Sequence, residues 1–220
     1  MPTTARTRFE ANASDVEHLL EIHELLGGTD PGRRSAQLQV LNKSGIVLIC
    51  AIWEAYCEDL AAEALDFLVQ HVSGPDKLPK SLRKRVAKEL ESDVNKLAVW
   101  KLAGSGWQPL LLQRLTDLQD ERNRGLNTPK ADNIQELFDE ALGLADVSAT
   151  WYWGGMARER ARGKLDEYVT LRGDIAHRGT AHGVQRDKVH DFLNHAERLM
   201  AKTDAKVNDF LRDECGSSIF

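Results

Sequence analysis

One uninterrupted helical pattern constrains the fold of this chain more than any other feature. Between about residues 35 and 72, apolar side chains recur at three- and four-residue spacing, as they do on one face of an α-helix. The middle of this segment, IVLICAIWEAYCEDL (46–60), is apolar on nearly all sides. Because a helix that is apolar all round must be buried, the pattern predicts a long central helix with other helices packed around it.

Shorter helical patterns flank the central segment on both sides. Capping boxes at residues 14–17 and 132–135 predict a helix to Leu26, starting at Ser14 or already near Phe9, and a helix to Leu142. A very basic helix is predicted at 82–92, another at about 110–120, and two long helices at about 158–178 and 184–214. The predicted fold class is all-α: one domain, residues 1–220, built as an up-down helical bundle with short helices inserted at about 73–155.

Composition narrows the class of protein further. The net charge of −5 argues against nucleic-acid binding through bulk electrostatics, so any such contact has to be local, or weak and transient. The longest apolar run, residues 46–53, is too short to cross a bilayer, and the N-terminal residues have no apolar leader. Cys50 and Cys57 lie about two helical turns apart, too far for a disulfide. We therefore expect a cytoplasmic protein with reduced thiols and no membrane association.

The stretch LRGDIAHRG (171–179) is the strongest candidate for a functional site. On a helical wheel, Leu165, Val169, Arg172 and Ala176 form one stripe, so Arg172 takes a seam position where leucine would be expected. An unpaired buried guanidinium is costly. The arginine therefore predicts either an ion pair or a polar cleft at this end of the helix.

His177 lies about 140° from Arg172 around the same helix. The two side chains meet only if the helix unwinds near Gly173 or Gly179, or if two copies of the helix face each other. Asp174, three residues before His177, is placed to orient the imidazole and support its protonated form. This set of side chains suits RNA cleavage without a metal. The histidine can take the proton of a ribose 2′-OH or give one to the departing 5′-oxygen, and the arginine can hold the phosphate and stabilise its added charge. The alternative is a buried salt bridge beside a helix-end histidine.

Two segments of the chain resemble the HEPN superfamily, in particular its RiboL-PSP-HEPN group. LRGDIAHRG matches the family's Arg-x4–6-His motif, with Arg172 and His177 in the matched positions. LNKSGIVLICAIWEAYCEDLAAEAL (41–65) is similar to the long Trp-Glu-x-Tyr helix of that group. Many members have a polar residue directly after the arginine, where this chain has Gly173 followed by Asp174.

The resemblance implies a homodimer with a shared cleft and metal-independent endoribonuclease activity, with no cofactor. Under this reading His177 is the acid and base, Arg172 is the phosphate clamp, and Asp174 orients His177. It further implies a role as a toxin or phage-defence effector, with an antitoxin or defence-system partner beside the RNA substrate. The alternative is a non-catalytic module that binds a partner protein or RNA through the same cleft.

Basic residues outside the motif predict where RNA would be held. The candidates are Lys80, Arg83 and Lys84, from the basic run at 77–88, and Arg178 directly after the motif histidine. The alternative for this run is a solvated helix face. The same two interpretations apply to the basic residues at 158–164.

The remaining candidates have ordinary structural explanations beside their functional ones. Glu54 either supports the site by pairing with Arg172 across the bundle or reaches solvent at a helix edge. Tyr56 is expected in the core rather than on a phosphate. The histidines at 182, 190 and 195 match no metal-binding spacing, so no metal site is predicted. The tryptophans at 100, 107, 151 and 153 either stack on bases or, more commonly, anchor loops onto a bundle.

Overall fold

Seven helices make up most of the structure, a computed structural model that describes residues 2–27, 35–124, 128–178 and 183–217. They are α1 (Thr4–Gly27), α2 (Ser35–His71), α3 (Lys80–Ser92), α4 (Trp107–Arg124), α5 (Ala131–Leu142), α6 (Arg158–Arg178) and α7 (Arg186–Cys215). Short 3₁₀ helices lie at Pro75–Lys77, Ala98–Leu102 and Val147–Thr150. Over the described ranges, extended backbone pairs only in an isolated bridge between Trp153 and Met156. The predicted all-α fold class is confirmed.

Helix α2 is the central helix, as its apolar pattern predicts. Ile46, Ile49, Trp53 and Leu60 are fully buried, and α1, α5, α6 and α7 all pack against α2. A helix with apolar side chains on nearly every side needs neighbours all round, and this requirement places α2 in the middle. Even so, none of the described helices is long and apolar enough to cross a membrane.

The helices beside α2 run in alternating directions. The Ala5 amide, at the start of α1, donates to Oε1 of Glu63 late in α2 at 2.8 Å, so α1 is antiparallel to α2. Nδ2 of Asn42, early in α2, donates to the carbonyl oxygen of Val184, just before α7, at 2.7 Å. Because the N-terminal ends of α2 and α7 lie side by side, α7 runs parallel to α2.

A buried histidine ties α6 to α7. Nε2 of His195 on α7 donates to the carbonyl oxygen of Ala161 on α6 at 3.0 Å. Three residues earlier on α7, Phe192 stacks on Tyr168 of α6 with ring centroids 4.1 Å apart. The contacts advance along α6 as they go back along α7, so the two helices are antiparallel. With α1 and α2 they form the up-down bundle that the sequence predicts.

The start of α1 differs from the capping-box prediction. The helix begins at Thr4, so Ser14 lies well inside it rather than at its N-cap. The Thr3 hydroxyl accepts a hydrogen bond from the Arg6 amide in the first turn. The carboxylate of Glu63 on α2 accepts hydrogen bonds from the amides of Thr4 and Ala5. A carboxylate from another helix thus satisfies amides that a local capping pattern would otherwise have to satisfy.

The elements between α2 and α6 also depart from their sequence-based boundaries. Helix α5 begins at Ala131 rather than behind an Asp132 cap, because Oδ1 of Asp166 on α6 accepts the Ala131 amide at 2.8 Å. Helix α4 extends beyond the predicted 110–120 at both ends. Trp151 anchors the connection between α5 and α6 onto the bundle, since its Nε1 donates to Oγ1 of Thr203 on α7 at 3.0 Å.

The bundle has two ends, which we call the motif end and the far end. At the motif end α1 and α6 finish and α7 begins, and Arg186 of α7 pairs with Glu24 of α1 at 3.1 Å. At the far end α1 begins and α7 finishes. Helix α3 lies at the far end, because Arg83 is close enough to Glu214 to oppose the rise in pKa that burial gives this carboxyl.

Candidate functional site

Arg172 lies where α6 leaves the core. On the predicted stripe, Leu165 and Val169 are buried, Arg172 is half-buried and Ala176 is exposed. The prediction of Ala176 in the apolar seam is therefore wrong, because the packing of α6 against the core thins after Val169 and the last contact that the described residues of α6 make with the core is that of the half-buried Ile175. A half-buried arginine keeps its stem on apolar surface while its charged head reaches water, so it does not need a fully buried counter-ion.

Cys50 on α2 is the buried neighbour of this arginine. Burial raises the pKa of the Cys50 thiol to about 12, the positive charge of Arg172 opposes this rise, and the negative charge of Glu54 adds to it. Both charges therefore lie within electrostatic range of one thiol. Glu54 is half-buried one turn after Cys50 on α2. Its direct pairing with Arg172 stays a prediction, but the two residues border the same part of the α2–α6 contact.

The motif histidine follows on the same continuous helix. The backbone of α6 is helical from Arg158 through Arg178, so it does not unwind near Gly173, which was one predicted way for Arg172 and His177 to meet. Gly179, the other predicted place, is outside the described residues, as are the side chains of His177 and Arg178. Helical geometry keeps positions 172 and 177 about 140° apart around the axis.

Asp174 lies on a different side of α6 from Arg172. It is half-buried and lines a shallow surface depression with Gly163, Thr170 and Leu171. Two residues along a helix rotate a side chain by about 200°, which accounts for the separation. The structure therefore does not bring Asp174 to Arg172, and its predicted contact with His177 depends on their three-residue spacing alone.

A comparison with protein families decides what kind of domain carries this helix. The family model described as RiboL-PSP-HEPN matches residues 10–209, which contain α2, the motif and most of α7. The chain belongs to the RiboL-PSP-HEPN family. Searches of curated proteins and of solved structures each gave no match. Membership makes this a HEPN-type module, of a class that is generally ribonuclease-related.

The basic residues of α3 are solvent-exposed in this HEPN domain. Lys80, Arg83 and Lys84, three of the four predicted RNA-binding residues, are exposed, and the side chain of the fourth, Arg178, lies outside the described residues. Arg85 faces the other way and forms an ion pair with Asp139 of α5. Helix α3 thus uses one arginine to attach to the fold and leaves its outer face positively charged.

This basic face is remote from the motif. Arg83 is near Glu214 in the last turn of α7, whereas Arg172 lies one turn beyond Tyr168, which stacks on Phe192. Phe192 and Glu214 are 22 residues apart on α7, or about 33 Å at 1.5 Å per residue. The predicted RNA-binding residues of α3 are therefore far from the catalytic residues along the bundle, whereas Arg178 directly follows His177 on α6.

The basic residues at the start of α6 have structural partners. Arg158 donates to Oδ1 of Asp146 at 2.7 Å and to the Ser148 hydroxyl at 3.0 Å. Arg162 donates to the same hydroxyl at 2.5 Å and pairs with Asp132. This polar cluster attaches the 3₁₀ helix at 147–150 to α6, so the structural interpretation of Arg158 and Arg162 is favoured over RNA contact.

Other predicted candidates lie mainly in the core. Tyr56 is buried and its hydroxyl donates to Oδ1 of Asp204 at 2.6 Å, so its core placement is confirmed. Trp107 and Trp151 are buried, whereas Trp100 is 72% exposed and stays a candidate for stacking. Within the described residues, no group of three or more His, Cys, Asp or Glu side chains is arranged to hold a metal; position 182 lies outside them.

Two residues that sequence reasoning missed fix the start of α7 beside the motif. Asn42 is 3% exposed and bonds the Val184 carbonyl, and a Cβ on Gly45 would come within 2.6 Å of Cγ1 of Val189. A glycine inside a long apolar helix is a sign of close packing, so Gly45 was detectable from the sequence. The contact of Asn42 spans 142 residues and leaves no local sign.

Proposed function

We propose that this HEPN protein is a metal-independent endoribonuclease whose site is shared by two chains. The observation that carries the proposal is the position of Arg172. In a ribonuclease-related family, the arginine of the matched motif stands half-buried where α6 emerges from the core, five residues before the motif histidine. A guanidinium in this position reaches a phosphate from a supported stem.

The chemistry uses the protein's own side chains. His177 takes the proton of a ribose 2′-OH, and the 2′-oxygen attacks the adjacent phosphorus. The bond from phosphorus to the 5′-oxygen breaks, and that oxygen receives a proton from the His177 of the partner subunit. Arg172 holds the non-bridging oxygens and stabilises the added negative charge. The products are a 2′,3′-cyclic phosphate and a 5′-hydroxyl, and Asp174 orients His177.

Two features support a site built from two chains. Positions 172 and 177 diverge around a helix that is unbroken through Arg178, and this favours a second copy of α6 as the partner that brings an Arg172 and a His177 together. The motif end also exposes large apolar side chains: Ile22 at 48%, Leu25 at 83%, Leu26 at 56% and Val40 at 64%. Such a cluster favours a protein contact there, because burying it removes apolar surface from water.

The cellular setting we propose is that of a toxin or phage-defence effector that an antitoxin-like partner holds in check. An uncontrolled endoribonuclease would stop growth. Expression of the wild-type chain should therefore arrest growth, and the His177→Ala variant should not.

The biochemical test is incubation of pure protein with mixed cellular RNA in EDTA, followed by analysis of the RNA ends. We expect cyclic phosphate ends from the wild-type protein, undiminished by the chelator, and a loss of at least about 100-fold in cleavage rate for His177→Ala. Arg172→Ala should lose a similar factor, since it removes transition-state stabilisation.

Matched controls use exposed residues of the same types. His18→Ala on α1 and Arg160→Ala at the start of α6 should keep full activity. If cleavage or toxicity survives His177→Ala, or if EDTA abolishes the cleavage activity, the proposed mechanism is wrong. Size-exclusion chromatography with light scattering tests the dimer, and Leu25→Glu should shift it toward monomer.

A second candidate function is partner binding without catalysis. Residues 94–100 expose Val94, Leu97, Val99 and Trp100, each more than half accessible. Four exposed apolar side chains within seven residues are typical of a site that binds another protein, whereas single exposed apolar residues are common on any protein surface. Full-length protein that shows no RNA cleavage, but whose pull-down of a neighbouring gene product is abolished by Trp100→Ala, would favour this function.

A further inference from the structure

A row of exposed lysines on α3 carries positive charge that no ion pair among the described residues neutralises. Lys80, Lys84 and Lys88 recur every four residues on the exposed face and extend over about 12 Å. In the part of the chain that the structure describes, none of the three has a hydrogen bond or ion pair to another side chain. A row of this kind in a protein of net charge −5 is a local anion-binding surface.

The distance between this row and the motif end sets the minimum length of RNA that could contact both. Arg85, inside this row, pairs with Asp139 of α5, and the first amide of α5 bonds Asp166 of α6. Eight residues of α5 and six of α6 therefore separate the row from Arg172 along the bundle, or at least about 21 Å at 1.5 Å per residue. A nucleic-acid strand advances about 3.4 Å per nucleotide when its bases are stacked, so at least roughly 6 nucleotides are needed to cover this distance. The separation holds for both chains of a dimer joined at the motif end, because each row then lies at an outer end.

We infer that the Lys80, Lys84 and Lys88 row is an anchoring site for the RNA substrate, separate from the cleavage site. The inference rests on the proposed function and names its substrate class: RNA with about 6 or more nucleotides on one side of the cleaved bond. Shorter RNA reaches the motif end or the lysine row, but not both. Anchoring lowers KM for long RNA and leaves the chemical step unchanged.

The test compares labelled single-stranded RNAs of about 4 and about 24 nucleotides with the same repeated sequence. Binding is measured on the His177→Ala protein, so that the RNA stays intact, and kcat and KM are measured on the wild-type protein. We expect Kd and KM to be at least about tenfold lower for the longer RNA, with equal kcat. Equal Kd values for the two lengths would overturn the inference.

The matched variants replace the three lysines together. The triple Lys80→Gln, Lys84→Gln, Lys88→Gln variant should lose the length dependence, and its salt slope of log Kd should fall by about 2, from three contacts at about 0.7 each. The triple arginine variant keeps the charge and should keep both properties. If the glutamine variant behaves like the wild type, the row is only a solvated face.

The two proposals fail in different ways. Wild-type protein that cleaves no RNA, while the length-dependent binding and its loss in the glutamine variant persist, refutes the proposed nuclease and leaves the anchoring site standing. Cleavage of short and long RNA with the same KM refutes the anchoring site and leaves the nuclease standing. Thermal melts of both triple variants check that these exposed substitutions preserve the fold.

Discussion

Replacing His195 by glutamine tests how the two motif-bearing helices are held together. His195 is 3% exposed, and burial lowers its pKa to about 4 from an ordinary 6.5, while its hydrogen bond to the Ala161 carbonyl works against the decrease. The native protein thus keeps the ring neutral over a range in which the unfolded chain takes up a proton. Protonation of His195 in the unfolded chain does not reduce the free energy of unfolding above pH 6.5, and reduces it progressively as the pH falls from 6.5 toward 4. At 1.36 kcal/mol per pKa unit, this single group accounts for about 3 kcal/mol.

The assay is urea denaturation at a series of pH values between 7 and 4. The difference in unfolding free energy between wild type and His195→Gln should change by about 3 kcal/mol across this range, since glutamine retains an amide donor for Ala161 and does not titrate. His190→Gln, on an exposed part of the same helix, is the matched control and should keep the wild-type slope. The burial of Asp204 raises the pKa of its carboxyl, which acts in the opposite direction in both proteins and cancels in the difference. Parallel pH curves for wild type and His195→Gln would refute the reasoning.

Two further predictions concern packing and use thermal or chemical unfolding as the readout. Tyr56→Phe should cost about 1–3 kcal/mol, because it removes the hydroxyl that donates to the buried Asp204 carboxylate; an unchanged midpoint would show that this bond contributes nothing. Gly45→Ala should cost about 1–3 kcal/mol, because its Cβ would lie 2.6 Å from Val189, whereas Gly173→Ala has open space and should stabilise α6 by about 0.5–1 kcal/mol. Equal effects of the two alanines would contradict the packing argument.

The bundle itself was predictable because its helices are long and strongly periodic. The apolar pattern around Trp53 predicts α2 almost to the residue, and the spacing of Leu165 and Val169 predicts the buried face of α6. Short-range capping patterns were less reliable. Ser14 and Asp132 resemble caps, but carboxylates from other helices take the first amides of α1 and α5 instead.

The sequence by itself determined the helices, the central position of α2, the family and the presence of an arginine in an apolar seam. These follow from the order of side chains along one helix, which fixes the faces of that helix at 100° per residue. Only the tertiary structure decided that Arg172 stands at the exit from the core beside Cys50, and that the lysines of α3 lie at the far end. Such distances depend on how the helices pack over separations of many residues, and no local pattern encodes them.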